Sequence, residues 1–272
     1  MLVSFTQTYG PHRQELYDIH LKDKKLLELK QHFDRNIYSF HNVPINLRDD
    51  FIDALPIPNV EIMVHNKCTY SDCIRKLMKR LRDIGTTHFM FHQDDTFSND
   101  NELIAWEDLL YIIKSHKKNF LLSLRFSSAF FEDRKPTIQT PTLNFYQGTM
   151  ADWIDNGFWP MEDQPYICSI DMLEKLYDKA YFSYPHIWDM ELHLQREWRK
   201  KPETPRHFTN KSLFTNFNIV GSSLDREWAF RARLVDKGLL DPIPDDAPLC
   251  KCHFNPELMN YLNRCRKCGR KL

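Results

Sequence analysis

A chain of 272 residues with 42% hydrophobic content has enough apolar material for one large domain or for a main domain with an appendage. Its 37 Lys and Arg balance its 37 Asp and Glu, which excludes a global field drawing it to nucleic acid or to an anionic membrane surface. No uninterrupted apolar stretch approaches the ~20 residues of a membrane span, and the opening MLVSFTQTYG has no basic stretch followed by a long apolar one, so a cytoplasmic location is expected.

The first half alternates between two periodicities. LVSFTQTYG is a short β-rich run closed by Gly10 and Pro11, and HRQELYDIHLKDKKLLELKQHF predicts a helix with Leu16, Ile19, Leu26, Leu29 and Phe33 at helical spacings. NIYSFHNV predicts a strand ending at Pro44, and NVEIMVHN another after the break at Pro56 and Pro58. SDCIRKLMKRLRDIG predicts a helix with Ser71 as N-cap and Gly85 as its stop. THFMFHQDD is the next strand. Such alternation implies an α/β fold with a mostly parallel sheet flanked by helices, in which ligands bind outside the carboxyl ends of the strands. Asp94 and Asp95 fall at such an end, where carboxylates can hold Mg²⁺ or Mn²⁺ and, through it, phosphate oxygens. An ordinary Asp-rich turn is the competing reading.

NELIAWEDLLYIIKSHKKN then predicts a helix and FLLSLRF a strand. The stretch from Ser127 to Tyr166 is long for a connector and rich in aromatics, Pro and polar turn residues. Its Trp153, Phe158 and Trp159 form either an acceptor-sugar platform or a satellite apolar cluster. YICSIDMLEKLYDKAYFSYPHIWDMELHLQREWRK predicts two helices around PHIWDMEL. Arg226, Arg231 and Arg233 in the following segment suit either a diphosphate or a solvated helix face.

The terminal LCKCHFNPELMNYLNRCRKCGRKL carries four of the seven cysteines, with twelve residues separating Cys252 from Cys265. Thiolate pairs Cys250/Cys252 and Cys265/Cys268 on either side of a short helix suit a structural Zn²⁺, with His253 able to replace one thiolate; free or disulfide-bonded tail cysteines are the competing reading. Six Lys or Arg against one Glu in this tail support an alternative function, a zinc-containing nucleic-acid-binding protein without transferase activity. A metal-dependent phosphohydrolase is a third reading, but it calls for acidic ligands at other strand ends, where His41, Asn42, His65 and Asn66 supply none.

In order along the chain, SFTQTYGPHRQEL, HNKCTYSDCIRKLMKRLRDIG and FMFHQDD resemble three motifs of the glycosyltransferase A fold, in particular its family-two-like, nucleotide-sugar-dependent members. The resemblance is close over residues 2 to 125 and looser to about residue 235. It implies a Rossmann-like sheet of glycosyltransferase A type, with a catalytic domain at 1–245 (nucleotide half 1–125, acceptor half 126–245) and a Cys-rich tail at 246–272. It also implies a nucleotide-diphosphate-sugar donor bound by Thr6, Tyr9, Arg13, His41, Asn42, Asn66, Arg75 and His92, and a Mn²⁺ or Mg²⁺ held by Asp94 and Asp95 with His207 as a third ligand.

The family's acidic pattern is altered here. His92 stands where the first Asp of the motif falls and can only hydrogen-bond a ribose hydroxyl, while Asp94 takes the metal-binding position. Trp188 replaces the Glu of the catalytic segment, which leaves Asp189 as the base and Glu191 as its fallback. The implied reaction is inverting transfer of a sugar to a hydroxyl of a glycan, protein or lipid acceptor, with Trp153 and Trp159 at the acceptor and nucleic acid not a partner.

Overall fold

The computed structural model describes residues 1–9, 14–65, 69–99, 104–124, 134–155, 165–177 and 187–216. The first half runs β1 (Leu2–Tyr9), α1 (Gln14–Lys22), α2 (Lys24–Gln31), β2 (Arg35–His41), α3 (Ile45–Ala54), β3 (Val60–His65), α4 (Tyr70–Asp83) and β4 (His88–Gln93). The rest continues with β5 (Thr96–Ser98), α5 (Trp106–Ser115), β6 (Leu121–Ser123), β7 (Ile138–Gln139), β8 (Asn144–Tyr146) and α6 (Met150–Asp155). It closes with β9 (Tyr166–Ser169), α7 (Ile170–Leu176), α8 (Ile187–Arg199), β10 (Phe208–Thr209) and β11 (Phe214–Asn216).

The architecture is mixed α/β, with a central mostly parallel sheet flanked by helices. Its six strands lie in the order β3-β2-β1-β4-β9-β6. β1 to β4 are parallel, and β9 runs antiparallel between β4 and β6, so both halves of the chain contribute to one sheet. β1 and β2 read as near-continuous buried runs because helices cover both faces. Val3 and Phe5 face a core filled from α4, α6, α7 and α8, including Leu77, Trp153, Leu173 and Leu194. Leu2 and Met90 face the opposite core, with Leu26 and Leu29 of α2 and Leu109 and Ile113 of α5. Tyr17, Leu47 and Phe51 of α1 and α3 cover Tyr38 and Phe40 of β2.

Three local expectations change. The single helix expected after β1 divides at Asp23, whose carboxylate accepts the Leu26 amide and caps α2. The cap of α4 is Thr69, accepting from the Asp72 amide at 3.2 Å, with Ser71 already inside the helix; Gly85 does end it, at φ +70°. The aromatic stretch expected as a loop contains β7, β8 and α6, and β7 and β8 form a small sheet with β10.

Candidate active site

The strand order reverses direction between β1 and β4: β2 and β3 follow outward on one side, while β4 starts the other. The carboxyl ends of two strands at such a switch point leave a crevice between the connections that depart in opposite directions. Asp94 and Asp95 form the turn that ends β4 there, and both are buried, at 2% and 7% exposure. The Asp94 amide donates to the Gln7 carbonyl at 3.1 Å, tying the turn to β1. Beyond the turn, β5 is held by Asp23, which accepts the Ser98 amide at 2.7 Å and the Ser98 hydroxyl, and Lys25 Nζ donates to the Asn99 carbonyl at 3.1 Å. The break between α1 and α2 therefore supports the exit of the Asp turn.

Below the turn, Tyr38, Thr6 and His92 lie side by side on β2, β1 and β4. Lys30 of α2 is buried over them, its Nζ donating to Thr6 Oγ1 at 2.5 Å and to the Tyr38 hydroxyl at 3.1 Å. His20 Nε2 lies 3.2 Å from the same hydroxyl, and its ring is 5.7 Å from that of His92. Burial lowers the Lys30 ammonium to about 7, with Asp23 pulling the other way, and holds His20 and His92 well below the usual histidine range. Thr6 and His92, expected at the donor nucleotide, are thus interior groups of a polar layer under the site, at 1% and 0% exposure.

At the ends of β2 and β3 the two histidines stand in register, His41 opposite His65, with ring centroids 4.8 Å apart. His41 is also expected at the donor, but it turns inward: Nε2 is 3.1 Å from the Ser39 hydroxyl and Nδ1 is 3.6 Å from Cys73 Sγ on α4. Asn42 is exposed, and its φ of 54° turns the chain sharply at the strand end, a conformation Asn tolerates better than most residues. Arg75 lies on the solvent side of α4, 3.1 Å from Asp72.

Two further residues stand apart from the Asp turn. His207 pairs with Leu122 beside β6, against Phe120, Phe145 and His116. At about 4.8 Å per strand spacing it stands roughly 14 Å from β4, too far to share an ion with Asp94. Burial and His116 lower it to about 4, so it packs as a neutral ring. Trp153 is 1% exposed, stacks on Phe208 at 5.5 Å and carries the Arg206 guanidinium 4.2 Å over its ring. That is a core position, closed to an acceptor sugar.

Asp189 and Glu191 belong to the first turns of α8, which anchors through Met190, Leu194 and Trp198. Their side chains, and that of Tyr9 at the end of β1, lie outside the described residues. So do Arg13, Asn66, Phe158, Trp159, Arg226, Arg231, Arg233 and the whole segment bearing Cys250, Cys252, His253, Cys265 and Cys268. No helix of the described residues is long and apolar enough to cross a membrane.

No family model and no curated protein sequence matches the chain. Among solved structures it is similar to 4-diphosphocytidyl-2C-methyl-D-erythritol synthase from Anaerococcus prevotii, at 13% identity over 78% of this chain and 88% of that one, TM-score 0.43. It is also similar to mannose-1-phosphate geranyltransferase from Thermus thermophilus, at 10% identity over 89% and 81%, TM-score 0.46. A third is TarS from S. aureus, at 10% identity over 87% and 72%, TM-score 0.45. The likeness is one of layout, and the roles of individual residues rest on this chain's own geometry.

Proposed function

We propose that this chain is a metal-dependent glycosyltransferase that moves a sugar from a nucleotide-diphosphate donor to an acceptor hydroxyl with inversion. The observation that carries the reading is the buried Asp94–Asp95 turn, tied to Gln7 at the switch point of the sheet. Two adjacent carboxylates offer hard oxygen donors, which fit Mn²⁺ or Mg²⁺. When bound, such an ion offsets the negative charge that gathers on a leaving diphosphate.

The chain's own groups divide the remaining work. Asn42 offers an exposed amide at the end of β2, the side of the crevice where a nucleotide base would lie. Asp189, at the head of α8, is the proposed base. As the acceptor oxygen attacks the anomeric carbon, the bond from that carbon to the diphosphate oxygen breaks and its electron pair stays on the phosphate. The acceptor's proton passes to the Asp189 carboxylate. Attack from the face opposite the leaving group inverts the anomeric centre. The nucleic-acid reading draws on the Cys-rich tail alone, and nothing among the described residues favours it.

A thermal-shift screen of nucleotide sugars with and without Mn²⁺ tests the reading, because a ligand that binds only the folded state raises the melting temperature by mass action. At least one nucleotide sugar should stabilise the protein in the presence of Mn²⁺ and not in its absence. No shift with any donor, or equal shifts with and without the ion, would remove the basis for a metal-dependent donor site.

A further inference from the structure

Three side chains of metal-ligating chemistry meet at the carboxyl edge of the sheet, separate from the Asp turn. His41 closes β2, His65 closes β3 in register with it, and Cys73 comes from the second turn of α4. All three are buried, and one donor atom from each lies within 4.8 Å of the others. His41 Nδ1 and Cys73 Sγ are 3.6 Å apart. A tetrahedral zinc with Zn–N of about 2.0–2.1 Å and Zn–S of about 2.3 Å sets neighbouring ligand atoms about 3.3–3.6 Å apart, so this edge already has the required length.

Two observations point to an occupant. His65 is 3% exposed, yet neither of its ring nitrogens has a hydrogen-bond partner among the described residues. Burying both nitrogens without partners is costly, and an ion bound by one of them removes half of that cost. His41 is oriented as a ligand is: its Nε2 engages the Ser39 hydroxyl, which leaves Nδ1 directed at Cys73. Such outer hydrogen bonds are how metal-binding histidines are held in one tautomer. A cysteine–histidine nucleophile is the other chemistry this pair suggests. It would use only His41 and Cys73 and leave the buried His65 with both ring nitrogens unpartnered among the described residues.

We propose that His41, His65 and Cys73 bind one Zn²⁺, clamping the ends of β2 and β3 to α4 and leaving the fourth coordination position for water or a ligand. Two imidazoles and a thiolate select a borderline-soft transition ion, whereas the carboxylates of Asp94 and Asp95 select a hard one, so the two sites differ in the metal they take. The inference does not depend on the transferase reading.

The test uses the full chain carrying Cys250→Ser, Cys252→Ser, Cys265→Ser and Cys268→Ser, which removes every tail thiolate as a source of bound metal. This protein should retain about one equivalent of zinc, and X-ray absorption at the zinc edge should show mixed nitrogen and sulfur ligation. Replacement by Co²⁺ should give a thiolate-to-cobalt charge-transfer band. Adding Cys73→Ser should abolish that band, and adding His65→Gln should weaken zinc binding by more than about 100-fold, since even outer-shell changes cost about 10–100-fold. Circular dichroism identifies a variant that fails to fold; the absorption spectrum of the Cys73-containing protein then decides alone. A tail variant devoid of zinc, a first shell of oxygen only or of four sulfurs, or zinc affinity indifferent to both substitutions would overturn the proposal.

Discussion

The Asp94 amide donates to the Gln7 carbonyl at 3.1 Å, joining the turn at the end of β4 to β1 at the point where the sheet reverses its strand order. The bond is between backbone groups, so it survives any change of the Asp94 side chain. Asp94→Asn removes charge and almost no volume. Its circular dichroism spectrum should match that of the unaltered protein and its melting temperature should lie within a few degrees, so that a functional loss reads as lost carboxylate chemistry. A melting temperature lowered by more than ten degrees would show that the charge itself holds the turn together.

Lys30 should make stability rise with pH. Folded, it deprotonates near 7; unfolded, it holds its proton to about 10.5. Between those values the unfolded chain binds the extra proton, so stability increases from about pH 7 to about 10.5 and is lost as pH falls back through that window. At roughly 1.4 kcal/mol per unit the full span is on the order of 5 kcal/mol. Lys30→Met removes this titration. Urea unfolding of both proteins from pH 6 to 10 should show the wild type gaining on the variant as pH rises; a constant difference would contradict the assignment.

Trp153 should behave as a core residue. Trp153→Ala, stripping the ring from Phe208 and Arg206, should cost about 3–5 kcal/mol, and Trp153→Phe far less. An acceptor platform would give the reverse pattern, with stability kept and the acceptor KM raised.

Asp189→Asn separates binding from turnover. The residue is assigned to the acceptor hydroxyl, so donor and metal affinity should stay close to wild type while transfer slows by roughly 10²- to 10⁴-fold. A carboxylate that merely complements the α8 dipole from within its first turn would leave the rate near normal in Asp189→Asn and pass the base to Glu191.

The features that position the site were legible where the signal was local. The β4 run HFMFHQ followed by paired carboxylates, and Gly85 at the end of α4, follow from periodicity and from glycine's access to positive φ. What depended on distant partners was not. Asp23 breaks a continuous helical pattern because its carboxylate also holds Ser98, 75 residues on. α3 presents only Leu47 and Phe51 as buried positions and begins at Pro44 without a side-chain cap, so its pattern is faint. The YICS run is too short to announce a strand running against its neighbours. The resemblance of their motifs implies ligand contacts for His92 and Thr6, yet both point into the layer around Lys30. The His41, His65 and Cys73 cluster has no spacing motif; the one available sign was that NIYSFH and VEIMVH both end in histidine, which parallel pairing then aligns.

In the proposed function Asp94 anchors a divalent ion for a nucleotide-diphosphate donor. Calorimetric titration of a nucleoside diphosphate, with Mn²⁺ present and absent, into the unaltered protein and into Asp94→Asn measures this directly. Mn²⁺-dependent binding is expected to the first and none to the second, with the fold of both intact. Equal affinity in the two proteins would contradict it and remove Asp94 from the metal site.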